Sequence, residues 1–233
     1  MKLSEIIDFT PKSSKMSVAD YRNRIIGGTN LSKIGKGEFG TAYDIESPKR
    51  QNEITKIGQA GRLNNFMAVD SPANDDGYMV WLKTAYKLSE KGNKNPYFPV
   101  IHNLIIRQDP SKKEYYRVDL EKLTSFTSEK IISNYDLMMS LYSNMFLLKN
   151  PDDIKDLRSC KPEYIADAIK NKLELAITHD DVSEIKDKNL SNIIGIISLL
   201  LDRHHFILDL HVGNLMWRVT NNRPHLVILD PFA

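Results

Sequence analysis

Phe206-Ile207-Leu208-Asp209-Leu210-His211-Val212-Gly213-Asn214-Leu215-Met216-Trp217 is followed downstream by Leu226-Val227-Ile228-Leu229-Asp230-Pro231-Phe232, and these two stretches carry the strongest chemical pattern in the chain. An aspartate, an asparagine five residues on and a second aspartate closing an apolar run are three hard oxygen donors. Phosphoryl transfer from ATP uses such a set: one carboxylate orients the attacking hydroxyl, while an amide oxygen and a second carboxylate hold Mg²⁺ on the phosphates. The apolar residues on either side read as short strands that bring the polar tips into one cleft. Alone the spacing is weak, because Asp and Asn are common in turns.

A second motif lies far upstream, Ile34-Gly35-Lys36-Gly37-Glu38-Phe39-Gly40-Thr41-Ala42-Tyr43. Its glycines let backbone N–H groups approach phosphate oxygens with no Cβ in the way. It lacks the G-K-[ST] of a P-loop and has the form of the kinase glycine-rich loop. With both motifs in this order, the chain resembles the protein-kinase-like superfamily. Within it the chain is similar to the early serine/threonine protein kinases of short-tailed bacteriophages, which share the compact glycine loop, a D-x-H-x-G-N loop and D-P in place of D-F-G. The likeness runs in motif order from Leu31 to Phe232 and is dense only in three short patches.

The resemblance implies an α+β, two-lobed protein-kinase-like fold. Residues 1–120 would form an N-lobe: an N-terminal extension, a small antiparallel sheet with the glycine loop, and one helix. Residues 121–233 would form the hinge and a mainly helical, truncated C-lobe. It implies ATP and Mg²⁺ as cofactors, with Gly35, Lys36, Gly37, Glu38, Phe39, Gly40 and Ala42 around the nucleotide. Lys56, in the strand Glu53–Gly58, takes the place of the third-strand lysine that grips the α- and β-phosphates. Glu121 and Leu123 fall in the hinge that meets adenine. Asp209 is the catalytic base, and Asn214 and Asp230 are the metal ligands. Asp75–Lys91, with Met79, Leu82 and Tyr86 on one stripe, takes the place of the αC helix. No glutamate lies in its middle, so Asp75 is assigned as the N-cap and Asp76 as the carboxylate nearest Lys56.

The remainder of the chain sets bounds. With 233 residues, 41% hydrophobic and 27% charged, it can bury a good core. A net charge of +2 gives no bulk preference for nucleic acid. The single Cys160 excludes an intrachain disulfide and a cysteine zinc cluster, and suits a reducing cytosol. The longest greasy run, Ile193–Leu201, is about half of the ~20 residues a membrane span needs. Met16–Ile26 reads as a helix broken by Gly27-Gly28, Ser128–Lys188 as largely helical, and Ser191–His204 as a buried helix. His204, His205 and His211 read as core or surface residues rather than a metal site. The expected function is an ATP- and Mg²⁺-dependent serine/threonine protein kinase, phage-encoded and acting on host proteins in the bacterial cytosol. Two alternatives stay open. One is a small-molecule phosphotransferase of the aminoglycoside or choline kinase type; the other is a pseudokinase that binds and inhibits a host protein.

Overall fold

The computed structural model describes residues 12–28, 31–36, 40–59, 76–110, 114–126, 135–148 and 162–232. It is mixed α and β, and divides into two compact units: Met1–Asn93 with Pro99–Lys122, and Lys94–Phe98 with Leu123–Ala233.

The first unit is built on a sheet. Its elements are β1 (Lys12–Ser13), α1 (Val18–Gly28), β2 (Leu31–Lys36), β3 (Gly40–Ile45), β4 (Glu53–Gln59), α2 (Gly77–Glu90), β5 (Ile101–Gln108) and β6 (Glu114–Glu121). The strands lie in the order β1-β5-β6-β4-β3-β2. Only β1 pairs in parallel, Lys12 opposite Arg107; all the other pairs are antiparallel. Successive strand residues point to opposite faces, so the register sorts the side chains. Thr41, Tyr43, Thr55, Ile57, Tyr115, Arg117 and Asp119 share one face, and Gly40, Ala42, Lys56, Tyr116 and Val118 the other.

The N-terminal segment closes the first of these faces. Ser17 caps α1: its Oγ accepts from the Asp20 N–H at 3.1 Å and donates to Asp20 Oδ2 at 2.6 Å, so one side chain ties both to the helix start. Tyr21 from α1 then packs with Tyr43, Ile57 and Tyr115, with Met16, Ile25 and Leu31 at the edge. The helix ends at the Gly27-Gly28 pair, which forms its last two residues.

On the same face Asp119 is only 2% exposed yet ionic. Thr55 Oγ1 donates to its Oδ1 at 2.7 Å and Asn103 Nδ2 to its Oδ2 at 3.3 Å. Arg117 forks onto both oxygens at 3.0 and 3.1 Å, and Arg50 Nη2 reaches Oδ2 at 3.0 Å. Burial pushes the carboxyl pKa up, but the bonds from Thr55, Arg117 and Asn103 outweigh it and hold the group below its usual range.

Helix α2 begins two residues later than the sequence suggests, and its cap is a correction. Asp76, not Asp75, is the N-cap, its Oδ1 accepting from the Tyr78 N–H at 3.0 Å. Asp75 lies outside the described residues. An extended φ, ψ at residue 76 followed by Gly77 fixes where the first turn can start. The stretch Gly77–Ala85 is buried on every side rather than along one stripe.

The second unit holds α3 (Tyr135–Met145), α4 (Pro162–Thr178) and α5 (Lys188–His204), with a small sheet of β7 (Thr124–Ser125), β8 (Leu215–Thr220) and β9 (Arg223–Ile228) in the order β7-β8-β9. Leu190, Ile193, Ile194, Ile197 and Leu200 recur at helical spacing on α5 and are all buried. Asp187 caps that helix through its Oδ1 and accepts from the buried Tyr97 hydroxyl through its Oδ2 at 3.0 Å. Burial, then the Asp187 charge, pushes the Tyr97 phenol upward, so it remains a donor. Three further bonds tie the Asn95–Phe98 turn to this unit. Asn95 Nδ2 donates to the Asn189 carbonyl, Arg218 Nη2 to the Pro96 carbonyl, and the Ile228 N–H to the Tyr97 carbonyl. Helix α5 ends at His205 in the left-handed region, φ 54°. Asn221 and Asn222, both at positive φ, form the two-residue turn that twists β8 onto β9.

Candidate active site

In the second unit a short chain of bonds brings together the three oxygen donors of the downstream motif. After α5, Leu208 and Phe232 form an isolated antiparallel bridge, and the Asp209 N–H donates to the Pro231 carbonyl at 2.9 Å. The Asp230-Pro231-Phe232 segment therefore lies along the start of the Asp209 loop. The chain then turns through a single 3-10 turn, Val212–Asn214, into β8. Asn214 donates from Nδ2 to the Asp209 carbonyl at 3.0 Å, with the Asp209 carboxylate at 3.5 Å. The Asn214 carbonyl accepts from the Leu229 N–H at 2.8 Å, which sets Asp230 one residue from that anchor. Backbone bonds thus hold the stretches that carry Asp209, Asn214 and Asp230 side by side, with the Asn214 amide bonded to the Asp209 carbonyl.

The loop carries its own brace. His211 Nδ1 accepts from the Gly213 N–H at 3.0 Å. A Cβ on Gly213 would stand 2.8 Å from His211 Cε1, so the glycine is what lets the ring fold back. With Nδ1 accepting, the neutral ring carries its proton on Nε2, which faces Asp209 Oδ2 at 3.8 Å. Of the other histidines, His204 stacks on Phe206 and His205 ends α5.

The oxygens suit a hard cation. Asn214 spends its amide nitrogen on Asp209, which leaves Oδ1 as the end that can meet a metal. Together with the Asp230 carboxylate it makes the sparse oxygen set that Mg²⁺ accepts alongside water and phosphate. Among the described residues no group of three His, Cys, Asp or Glu side chains forms a metal cluster.

In the first unit Lys56 lies on β4, opposite Ala42 on β3 and Val118 on β6. Its Nζ stands 3.5 Å from the centroid of the Tyr78 ring, a cation–π seat provided by the first turn of α2. Asp76 caps the turn that carries Tyr78. Gly40 makes room beside them, since a Cβ there would meet Tyr116 Oη at 2.9 Å, the Ile57 carbonyl at 3.2 Å and Lys56 Cε at 3.3 Å. Lys36 is exposed and Ala42 half-buried, while Gly35 faces open space, next to an irregularity in the β2–β3 register. Gly37, Glu38 and Phe39 lie outside the described residues.

The expected hinge residues are more committed than the sequence suggests. The Glu121 N–H donates to the Val100 carbonyl at 3.0 Å, and its Oε1 accepts from the Val100 N–H at 2.8 Å. The Lys122 N–H is spent on the Asn52 carbonyl. Leu123, half-buried, follows as the first residue of the second unit's longer segment.

Sequence reasoning missed Tyr78 and the His211–Gly213 brace. An aromatic residue two positions after an N-cap aspartate, and a glycine two after a histidine, are the signals that point to them. No protein-family model matches the chain, and no curated protein matches its sequence. Among the described residues no helix is long and apolar enough to cross a membrane.

Proposed function

We propose that this chain is an ATP- and Mg²⁺-dependent serine/threonine protein kinase with the two-lobed protein-kinase-like fold. The observation that carries the reading is that the segment holding Asp230 runs along the loop holding Asp209 and Asn214, tied by the Asp209–Pro231, Leu229–Asn214 and Asn214–Asp209 bonds. Two features of the first unit support it. Five antiparallel strands run in the order β5-β6-β4-β3-β2, with a helix after β4, and Lys56 shares a face with Gly40 and Ala42 behind the glycine turn.

In this reading each unit carries part of the chemistry. Lys56, steadied by the Tyr78 ring, supplies a positive charge to the triphosphate. Asn214 Oδ1 and the Asp230 carboxylate would hold Mg²⁺, which when bound neutralises phosphate charge. The Asp209 carboxylate accepts a hydrogen bond from the acceptor serine or threonine hydroxyl. It takes that proton as the new oxygen–phosphorus bond forms and the bond to the β-phosphate oxygen breaks. Glu121 and Lys122 spend their N–H groups on the Val100 and Asn52 carbonyls, so a hinge N–H for adenine would come from Leu123. The acceptors are host proteins in a bacterial cytosol, and the chain is of phage origin. The His211-x-Gly213-Asn214 brace also suits a small-molecule phosphotransferase, and the acceptor separates the two.

Nucleotide binding tests the reading first. ATP with Mg²⁺ at a hundred times its Kd should stabilise the folded protein by about 2.7 kcal/mol through mass action, with a matching rise in Tm. No shift at millimolar nucleotide would remove the nucleotide site, and the kinase reading with it.

A further inference from the structure

The face of the first sheet turned away from Lys56 holds a cavity of about 320 Å³, between the N-terminal segment with α1 and the strands β5 and β6. That is the low end of the size range of small-molecule sites. Its walls are of two kinds. Met16 and Ile25 give an apolar side. Arg24 from α1, Arg107 from β5 and Arg117 from β6 give a basic one, with Tyr21 at the floor.

Charge makes this more than a packing gap. Arg117 is paired with Asp119, which also takes Arg50. Arg24 and Arg107 have no carboxylate partner among the described residues, and Arg107 lies 5.6 Å from the centroid of the Tyr21 ring. Asp20, the acid of α1, is engaged with Ser17 at the helix start. Two guanidinium groups with no carboxylate partner among the described residues therefore line one partly enclosed cavity, beside a protonated phenol and the Asp119-paired Arg117. Such an arrangement is unfavourable alone and is relieved by a dianion, for which planar guanidinium forks are the matched donors. An apolar wall beside the charges adds room for a small organic body.

From this geometry we infer that the cavity between α1 and the β5–β6 strands binds a phosphomonoester, its phosphate on Arg24 and Arg107 and its body against Met16 and Ile25. The site is independent of the nucleotide reading, since it lies on the opposite face of the sheet from Lys56. The same phosphate group can be offered free or on a phosphorylated side chain; the cavity volume favours the free small molecule.

Titration calorimetry on the full chain with phenyl phosphate, at constant ionic strength, tests the site. The expected result is saturable one-to-one binding, weakened about tenfold or more by Arg24→Gln and by Arg107→Gln and unchanged by Lys56→Met. Inorganic phosphate should bind more weakly than phenyl phosphate, because it leaves the apolar wall empty. Arg24 is exposed, so its variant keeps the fold, which far-UV circular dichroism checks. Binding that survives both arginine substitutions, follows only ionic strength, or is absent at millimolar ligand overturns the proposal. Tighter binding of a phosphoserine peptide than of phenyl phosphate overturns the small-ligand assignment. Loss of binding in Lys56→Met alone would return the ligand to the other face.

Discussion

Asp119→Ala is the substitution whose cost can be worked most directly from the structure. The side chain is 2% exposed and satisfies Thr55, Asn103, Arg117 and Arg50. Removing it deletes a buried charge and leaves the Arg117 guanidinium, 18% exposed, without its fork partner. Breaking one side of a buried pair costs about 3–5 kcal/mol, a large share of the roughly 5–15 kcal/mol that holds a domain together. For a chain of this size each kcal/mol moves Tm by about 2–4 °C, so a fall of roughly 6–20 °C is expected. Arg50→Ala should cost about 1 kcal/mol or less, because its guanidinium is a third exposed. The pH dependence has a definite sign. The folded carboxyl titrates below its unfolded value, so its contribution is fully present above about pH 4 and is lost as pH falls through the folded pKa. Urea denaturation of wild type, Asp119→Ala, Arg117→Ala and the double variant gives the coupling directly. A cost for Asp119→Ala below about 1 kcal/mol, or additivity of the two single variants, would refute the reasoning.

Other outcomes follow from the same contacts. Gly40→Ala should destabilise by about 1–3 kcal/mol and weaken ATP binding through Lys56, whereas Gly35→Ala, with nothing within 4 Å of its Cβ, should be near neutral in Tm. Tyr97→Phe removes the hydroxyl donor to Asp187 and should cost about 0.5–1.5 kcal/mol by thermal denaturation. Asp230→Asn should weaken Mg²⁺-dependent ATP binding in calorimetry, while Asp209→Asn should leave it nearly intact.

Much of the strand placement was legible because alternation is a local signal. Glu53–Gln59 and Glu114–Glu121 carry it, and only a few residues separate β2 from its neighbour β3. That the stretches carrying Asp209, Asn214 and Asp230 lie side by side was also readable, since each adjoins an apolar run. Long-range contacts were not readable. Nothing local tells that Asn95–Phe98 binds the second unit, which depends on Arg218, Asp187 and Ile228, about ninety or more positions away. The N-cap of α2 was misplaced by one residue because two adjacent aspartates offer equal capping chemistry. Tyr78 as the seat of Lys56 needed the three-dimensional juxtaposition of β4 and α2.

Transfer of the labelled γ-phosphate of ATP, with Mg²⁺ and a bacterial lysate, tests the central claim most directly when wild type and Asp209→Asn are run side by side. Wild type should place label on serine or threonine of lysate proteins, and Asp209→Asn should transfer about a hundredfold less or lower while still binding nucleotide. Label on a small metabolite would assign the site to the small-molecule phosphotransferase. No transfer by a wild-type protein that binds ATP, or equal transfer by both proteins, would contradict the assignment of Asp209 as the group that receives the acceptor's proton.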